Sequence, residues 1–139
     1  MGSGILRSVR EPSGFHHVAI QVRDLEGAVR FYTEVLGLPL LRRWNDEQGA
    51  PRSAWISIGR GFLALERTAE EPHPAPFRDG RPGLHLIALS ILPSERLAWE
   101  GRLSSHGVPL QHRTDYTIYF CDPEGNRIAL SHYPEPVPL

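Results

Sequence analysis

The chain has 139 residues, with 15 Lys and Arg against 16 Asp and Glu, and a formal net charge of -1. A chain of this length buries roughly two thirds of its unfolded surface, which suits one compact domain. The balanced charge provides no field that would attract nucleic acid or an anionic membrane, so we expect neither as a partner. The single cysteine, Cys121, excludes an internal disulfide and favours a cytoplasmic protein.

The first predicted elements are a strand and a helix that follow a loose N-terminal arm, residues 1–13. The arm lacks the apolar core of a signal peptide, and no apolar run reaches the length of a membrane span. From His17 onward, apolar and polar residues alternate, so His17 and Gln21 share one face of a strand. Asp24 can cap the next helix, and Gly37 can end it in a left-handed conformation.

An internal repeat organises the chain. The segment HHVAIQVRDLEGAVRFYTEVLGLPL runs parallel to LHLIALSILPSERLAWEGRLSSHGVPL. His17 heads the strand of the first copy, and His85 heads that of the second. Each copy continues into a helix and ends in Gly-x-Pro-Leu, so we expect two halves with the same order of elements.

Each half reads as β-α-β-β-β. The second helix is expected between Pro93 and Gly107, by analogy with the first. Short strands, separated by turns with Gly, Pro or Asp at the expected positions, complete both halves. These strands are predicted at 39–44, 53–58, 61–66, 109–113, 116–121 and 126–131. The predicted boundaries are 14–66 for the first half, 67–83 for a Pro-rich connection, 84–133 for the second half and 134–139 for an extended tail.

A four-stranded sheet with a single helix leaves one of its faces uncovered. Pairing the two halves about a pseudo-twofold axis covers these faces. The predicted fold is therefore α+β, with a curled eight-stranded mixed sheet, helices outside and a central cup. His17 is expected to point into the cup, because Val18, Ile20 and Val22 form an apolar set on the other face.

The chain resembles the vicinal oxygen chelate superfamily, the group of glyoxalases, bleomycin-resistance proteins and extradiol dioxygenases. The resemblance covers about residues 15–132. It rests on the first repeat copy quoted above, on WISIGRGFLAL, on GLHLIAL and on YFCDPEGNRIAL. It implies the paired-module fold, but not one chemistry, because the family includes isomerases, lyases, transferases, dioxygenases and drug-sequestering proteins.

The resemblance also implies a metal site that lacks its usual carboxylate. In metal-dependent relatives, residues heading the first strand of each half and a carboxylate on the last strand hold a divalent ion. His17 and His85 match the first two positions, whereas Ala129 stands at the carboxylate position, and Ala64 is its repeat counterpart. A divalent ion such as Zn, Mn, Fe or Ni would then be held loosely and would need another ligand.

Alternation and resemblance together predict the rest of the cup. The expected substrate-binding side chains are those of Gln21, Trp55, Ser57, Phe62, Thr117, Tyr119 and Cys121. Glu66 and Tyr119 are the candidates for acid-base catalysis. The adjacent His16 is expected on the outer face of its strand, and His132 should face away from Ala129.

Two functions remain open at this point. One is a metal-dependent lyase, isomerase or dioxygenase that uses His17 and His85 to polarise a small oxygenated, partly apolar molecule. The other is a metal-free protein that sequesters a small aromatic or apolar compound in the same cup. The resemblance also implies a homodimer, with the cup formed within one chain or shared between two.

Overall fold

The computed structural model describes residues 8–71, 80 and 82–139. The predicted arm and the predicted connection 67–83 therefore fall partly outside the described residues, and their boundaries stay predictions. No helix in the described part is both long enough and apolar enough to cross a membrane.

The first module follows the predicted order of elements. The Asp24 carboxylate accepts a hydrogen bond from the Gly27 backbone amide at 3.0 Å, which caps the helix. Gly37 adopts a φ of 71° after the helix, a conformation that favours glycine. The elements are β1 (His17–Val22), α1 (Leu25–Arg30) with a π-helical extension (Phe31–Val35), β2 (Leu40–Asn45), β3 (Pro51–Ile58) and β4 (Gly61–Arg67).

The second module repeats this order with shorter strands. Asp122 organises the last turn, because its Oδ1 accepts hydrogen bonds from the backbone amides of Glu124 and Asn126. The predicted strand 109–113 is reduced to two residues. The elements are β5 (Ile87–Ser90), a 3-10 turn (Pro93–Glu95), α2 (Arg96–Ser105), β6 (His112–Arg113), β7 (Thr117–Cys121) and β8 (Arg127–Ser131).

The strands form two four-stranded mixed sheets. Sheet 1 has the order β1-β4-β3-β2, and sheet 2 has the order β5-β8-β7-β6. In each sheet the first and last strands of the module pair in parallel, and the other pairs are antiparallel. The predicted α+β fold with two βαβββ modules is confirmed. The two sheets are separate, however, and do not close around one cup.

One apolar core joins the two sheets through α1. This helix packs on β3 and β4 of sheet 1. At its end, Phe31 lies 6.2 Å from Phe120 of sheet 2, measured between ring centroids. The Tyr32 hydroxyl donates a buried hydrogen bond to Asp122 at 2.7 Å. Because α1 contacts the inner faces of both sheets, their other faces, the outer faces, point away from this shared layer.

Candidate functional site

The outer face of sheet 1 carries the first group of predicted site residues. Along β1, His17, Ala19 and Gln21 are exposed, whereas Ile20 and Val22 are buried in the core. Pairing places Phe62 beside His17 and Glu66 beside Gln21. The predicted alternation of β1 is therefore observed.

An aromatic ladder crosses this outer face. His17 is stacked on Phe62, with centroids 4.7 Å apart and planes 7° apart. Phe62 is stacked on Trp55 at 4.1 Å and 22°. Trp55 meets Trp44 at 4.4 Å with the planes tilted by 58°. We call these four residues the aromatic ladder; three of them were predicted to line the site, and Trp44 was not.

His16 also belongs to this side of the sheet. Its Nδ1 lies 2.9 Å from Nδ1 of His17, and its ring contacts Phe62 edge-on at 5.5 Å. The prediction that His16 alternates to the opposite face is wrong, because β1 begins only at His17 and strict alternation does not extend before the strand.

Two alanines lie between the ladder and a polar pair on sheet 1. Ala19 and Ala64 are register partners and present only methyl groups. The register pair Gln21 and Glu66 lies two residues further along the two strands. The pair His17 and Phe62, which belongs to the ladder, lies two residues in the other direction. Two small side chains therefore separate the ladder from the polar pair on this face.

Glu66 borders a recess at the far end of the ladder. This recess has a volume of about 200 Å³ and is lined by Trp44, Arg52, Ser53, Trp55 and Glu66. Glu66 is half-buried, whereas Arg52 is exposed. The recess therefore places one carboxylate against two tryptophan rings.

The outer face of sheet 2 carries the second group of predicted residues. The Arg127 guanidinium lies 4.4 Å from the centre of the Tyr119 ring, and His112 contacts that ring as well. The Thr117 and Ser131 hydroxyls are hydrogen-bonded at 2.8 Å. Arg127 was not predicted, although its alternation with Ile128 would have placed it on this face.

Cys121 also lies on sheet 2 and is half-buried. The Gln111 side-chain amide donates a hydrogen bond to its sulfur at 3.0 Å. Burial raises the pKa of the thiol, and this effect outweighs the opposing effect of Gln111. The thiol is therefore protonated at neutral pH, which disfavours it as a nucleophile.

The strand register does not support the matching of His17 with His85. Ala19 pairs with Ala64 in sheet 1, and Ala88 pairs with Ala129 in sheet 2. If Ala64 matches Ala129, then Ala88 matches Ala19. His17 lies two residues before Ala19, and Leu86 lies two residues before Ala88. Leu86 therefore corresponds to His17.

His85 accordingly corresponds to His16 and precedes β5. Its Nε2 lies 3.5 Å from Nη1 of Arg127. This one-residue difference is decisive for chemistry, because neighbouring residues in an extended chain point to opposite sides.

The residues present do not fit the metal site that the fold family implies. At the matched positions the chain offers His17, Leu86, Ala64 and Ala129, of which only His17 has a donor atom. Within the described ranges, no group of three or more His, Cys, Asp or Glu side chains is placed to hold an ion. His132 is buried, hydrogen-bonded to Arg96, and faces away from Ala129 as predicted.

The structure brings some predicted residues together and separates others. His17, Gln21, Trp55, Phe62 and Glu66 share the outer face of sheet 1, and so does Ser57, which pairs with Phe62. The other group lies on the outer face of sheet 2 and comprises Thr117, Tyr119 and Cys121. Within one chain, the two candidate catalytic residues, Glu66 and Tyr119, therefore belong to different faces.

Comparisons with known proteins agree with this architecture. The family model of the Glyoxalase/Bleomycin resistance protein/Dioxygenase superfamily matches residues 14–130. The glutathione transferase FosA of Serratia marcescens is 25% identical over 118 residues, which cover 83% of this chain and 77% of FosA.

Solved structures show the same fold. A glyoxalase/dioxygenase from Nostoc punctiforme superposes with a TM-score of 0.72 at 23% identity, covering 94% of this chain and 99% of that one. A point mutant of the fosfomycin resistance protein FosX from Listeria monocytogenes, complexed with Mn(II) and a dihydroxypropylphosphonic acid, superposes with a TM-score of 0.66 at 17% identity, covering 86% and 92%. The predicted resemblance is confirmed, and the chain belongs to the glyoxalase, bleomycin resistance and dioxygenase superfamily.

Proposed function

We propose that the protein binds a small, flat, partly apolar molecule on the outer face of sheet 1 without a metal ion. The observation that carries this proposal is the aromatic ladder. Its three close contacts form a continuous row of rings that crosses the outer face of sheet 1 beside Ala19 and Ala64. A flat guest can stack along such a row and be oriented by the neighbouring polar pair, Gln21 and Glu66.

The position of the ladder distinguishes it from core packing. Buried residues such as Ile56, Leu63 and Leu65 fill the inner face of sheet 1. Trp55 and Phe62 alternate with these residues and are only half-buried. Large aromatic side chains that remain partly open on a sheet face are a common feature of ligand sites.

A metal-dependent enzyme is the second candidate function. It is supported by the family and by the manganese bound in the FosX structure named above. In this chain, however, Leu86, Ala64 and Ala129 stand at three matched ligand positions, so we favour the metal-free binding protein. The predicted lyase, isomerase or dioxygenase activity would require further ligands from elsewhere.

We also propose that the protein acts as a homodimer. Each chain has two separate sheets whose outer faces carry half-buried aromatic side chains, and β1 and β5 are edge strands of these sheets. A twofold dimer could place the Tyr119 face of one chain against the His17 face of its partner. Such an arrangement would enclose the ligand between two sheets.

Ligand binding is tested with ethylnaphthalene as a flat apolar probe, using isothermal titration calorimetry. We expect Trp55→Leu to weaken probe binding about ten-fold, because stacking with an aromatic ring contributes about 0.5–1.5 kcal/mol in addition to buried area. Trp99→Leu, on α2 and outside the ladder, is the matched control and should leave the affinity unchanged. Equal affinities of the Trp55 variant and the parent protein would contradict the proposal.

Metal use is tested separately by elemental analysis of protein purified without chelator. The comparison is a double variant, His17→Ala with His85→Ala. The proposal predicts equal and negligible metal content in both samples. A stoichiometric ion in the parent protein that disappears in the variant would favour the enzyme.

A further inference from the structure

We propose that the recess formed by Trp44, Trp55 and Glu66 is a subsite for an ammonium group, so that the ligand is a flat aromatic amine. This inference rests on the proposed function and specifies its ligand class. We call these three residues the cation recess. The recess adjoins the ladder directly, because Trp44 and Trp55 belong to both.

Glu66 supplies the charge of the cation recess. It pairs with Gln21 on one side and with Ser53 on the other, so its side chain shares the outer face with the ladder. In the described part of the chain, its carboxylate has no ion pair within 4.0 Å and no side-chain hydrogen bond. A half-buried carboxylate that lacks an internal partner favours a cationic or hydrogen-bond-donating group from a ligand.

Two arginines near the recess could instead favour an anion, and their positions argue against this. Arg52 also lines the recess, but it alternates with Ser53 and its backbone position therefore directs it to the opposite side of β3. Arg42 is exposed and lies 4.6 Å from the centre of the Trp44 ring. Because both arginines are exposed, water screens their charges more than it screens that of the half-buried Glu66.

The tryptophan rings strengthen the preference for a cation. The face of an indole ring is electron-rich and attracts cations. The Arg42 guanidinium over Trp44 is an internal example of this attraction on one of the two rings. Trp55 and Trp44 are tilted by 58° and not stacked flat, so the pair forms an angled aromatic wall beside Glu66.

The test compares three naphthalene probes of similar size: naphthylmethylamine, which is an ammonium at neutral pH, neutral ethylnaphthalene, and anionic naphthylacetate. Titration calorimetry gives the affinity of each for the full protein. We expect the amine to bind about five-fold more tightly than ethylnaphthalene, as for a partly exposed ion pair, and naphthylacetate to bind most weakly. Tighter binding of naphthylacetate than of the amine would overturn the proposal.

Variants at Glu66 identify the source of the preference. Glu66→Gln should reduce the ratio of amine to ethylnaphthalene affinities to about one, whereas Glu66→Asp keeps the charge and should retain most of the ratio. Glu70→Gln, an exposed acid beyond the end of β4, is the matched control and should retain the full ratio.

The outcomes separate the two proposals. An unchanged ratio in Glu66→Gln would contradict the cation recess while leaving ligand binding on the ladder intact. Absence of binding by all three probes would contradict both proposals. If all three probes bind with equal affinity and Trp55→Leu still weakens their binding, the ammonium subsite is contradicted, but ligand binding on the ladder is not.

Discussion

The imidazole of His17 lies flat against the phenyl ring of Phe62, with their centroids 4.7 Å apart and their planes 7° apart. Its Nδ1 is also 2.9 Å from Nδ1 of His16, so Nε2 is the ring nitrogen that remains to contact a guest. This arrangement makes His17 a polar member of the aromatic ladder. In the proposed metal-free site, a residue at a family metal position therefore contributes to ligand binding without an ion.

Restoring donor atoms at the matched positions should create metal affinity. We expect Leu86→His combined with Ala129→Glu to bind Zn(II) at least about ten-fold more tightly than the parent protein. The two substitutions add an imidazole and a carboxylate to the outer face of sheet 2, which the proposed dimer places against His17 of the partner subunit. Competition with a chromogenic chelator measures the affinity.

Ala129→Glu alone is the register control for this double variant. It would complete a site of two imidazoles and one carboxylate if His85 were the residue that matches His17. The register observed between β5 and β8 predicts that the single variant binds zinc much more weakly than the double variant. Equal zinc affinity of the two variants would contradict the register assignment.

The burial of the Asp122 carboxyl should make stability depend on pH. Burial raises the pKa of the Asp122 carboxyl, and the hydrogen bond from Tyr32 opposes that rise. Because the folded-state pKa lies above the unfolded value, the contribution of Asp122 to stability is fully present at pH values below the unfolded pKa. It is lost as the pH rises through the folded pKa.

Tyr32→Phe removes the donor that favours the charged carboxylate. We expect the pKa of Asp122 to rise further in this variant, and the free energy of unfolding near neutral pH to fall by about 1–3 kcal/mol. The loss should be smaller in acid, where the carboxyl is protonated. Urea unfolding at both pH values measures the effect, with Tyr133→Phe, an exposed tyrosine, as control. A loss that does not depend on pH would contradict this role.

Cys121 should react slowly with alkylating reagents. Burial raises the pKa of its thiol, so the reactive thiolate is scarce at neutral pH. We expect carboxamidomethylation by iodoacetamide to be slower than that of free glutathione and to accelerate only at alkaline pH. Gln111→Leu should slow it further, since the hydrogen bond from Gln111 lowers the thiol pKa. Mass spectrometry follows the reaction, and rapid modification at neutral pH would refute this prediction.

If the protein is a homodimer, its sedimentation coefficient at micromolar concentration should correspond to twice the mass of the chain. Ala88→Lys should shift the equilibrium toward monomer, because it places a charge on the exposed edge strand β5. Ser105→Lys at the exposed end of α2 is the control. A monomeric parent protein at all concentrations would contradict the shared site.

The sequence predicted the modules well because local signals specify them. The Asp24 cap, the helix-ending Gly37 and the Asp122 turn all lie where the pattern placed them. Alternation along β1 also assigned His17 and Gln21 to the correct face. These features depend on neighbouring residues, so a single chain contains the information.

The sequence could not fix what depends on pairing between distant strands. The repeat was aligned by its histidines, which matched His85 with His17, whereas Leu86 is the residue that corresponds to His17. The register of β5 is set by its parallel pairing with β8, which the local sequence does not show. A shift of one residue exchanges the two faces of a strand. The separation of Glu66 from Tyr119 likewise follows from how the two sheets pack on α1, which no local pattern reveals.

The most direct test of the account is the affinity of naphthylmethylamine for metal-stripped protein, measured with excess EDTA and then with added Mn(II) or Zn(II). The account predicts the same affinity under all three conditions, because the aromatic ladder and Glu66 provide the binding contacts. Binding that is absent with EDTA and appears only with added divalent metal would contradict it.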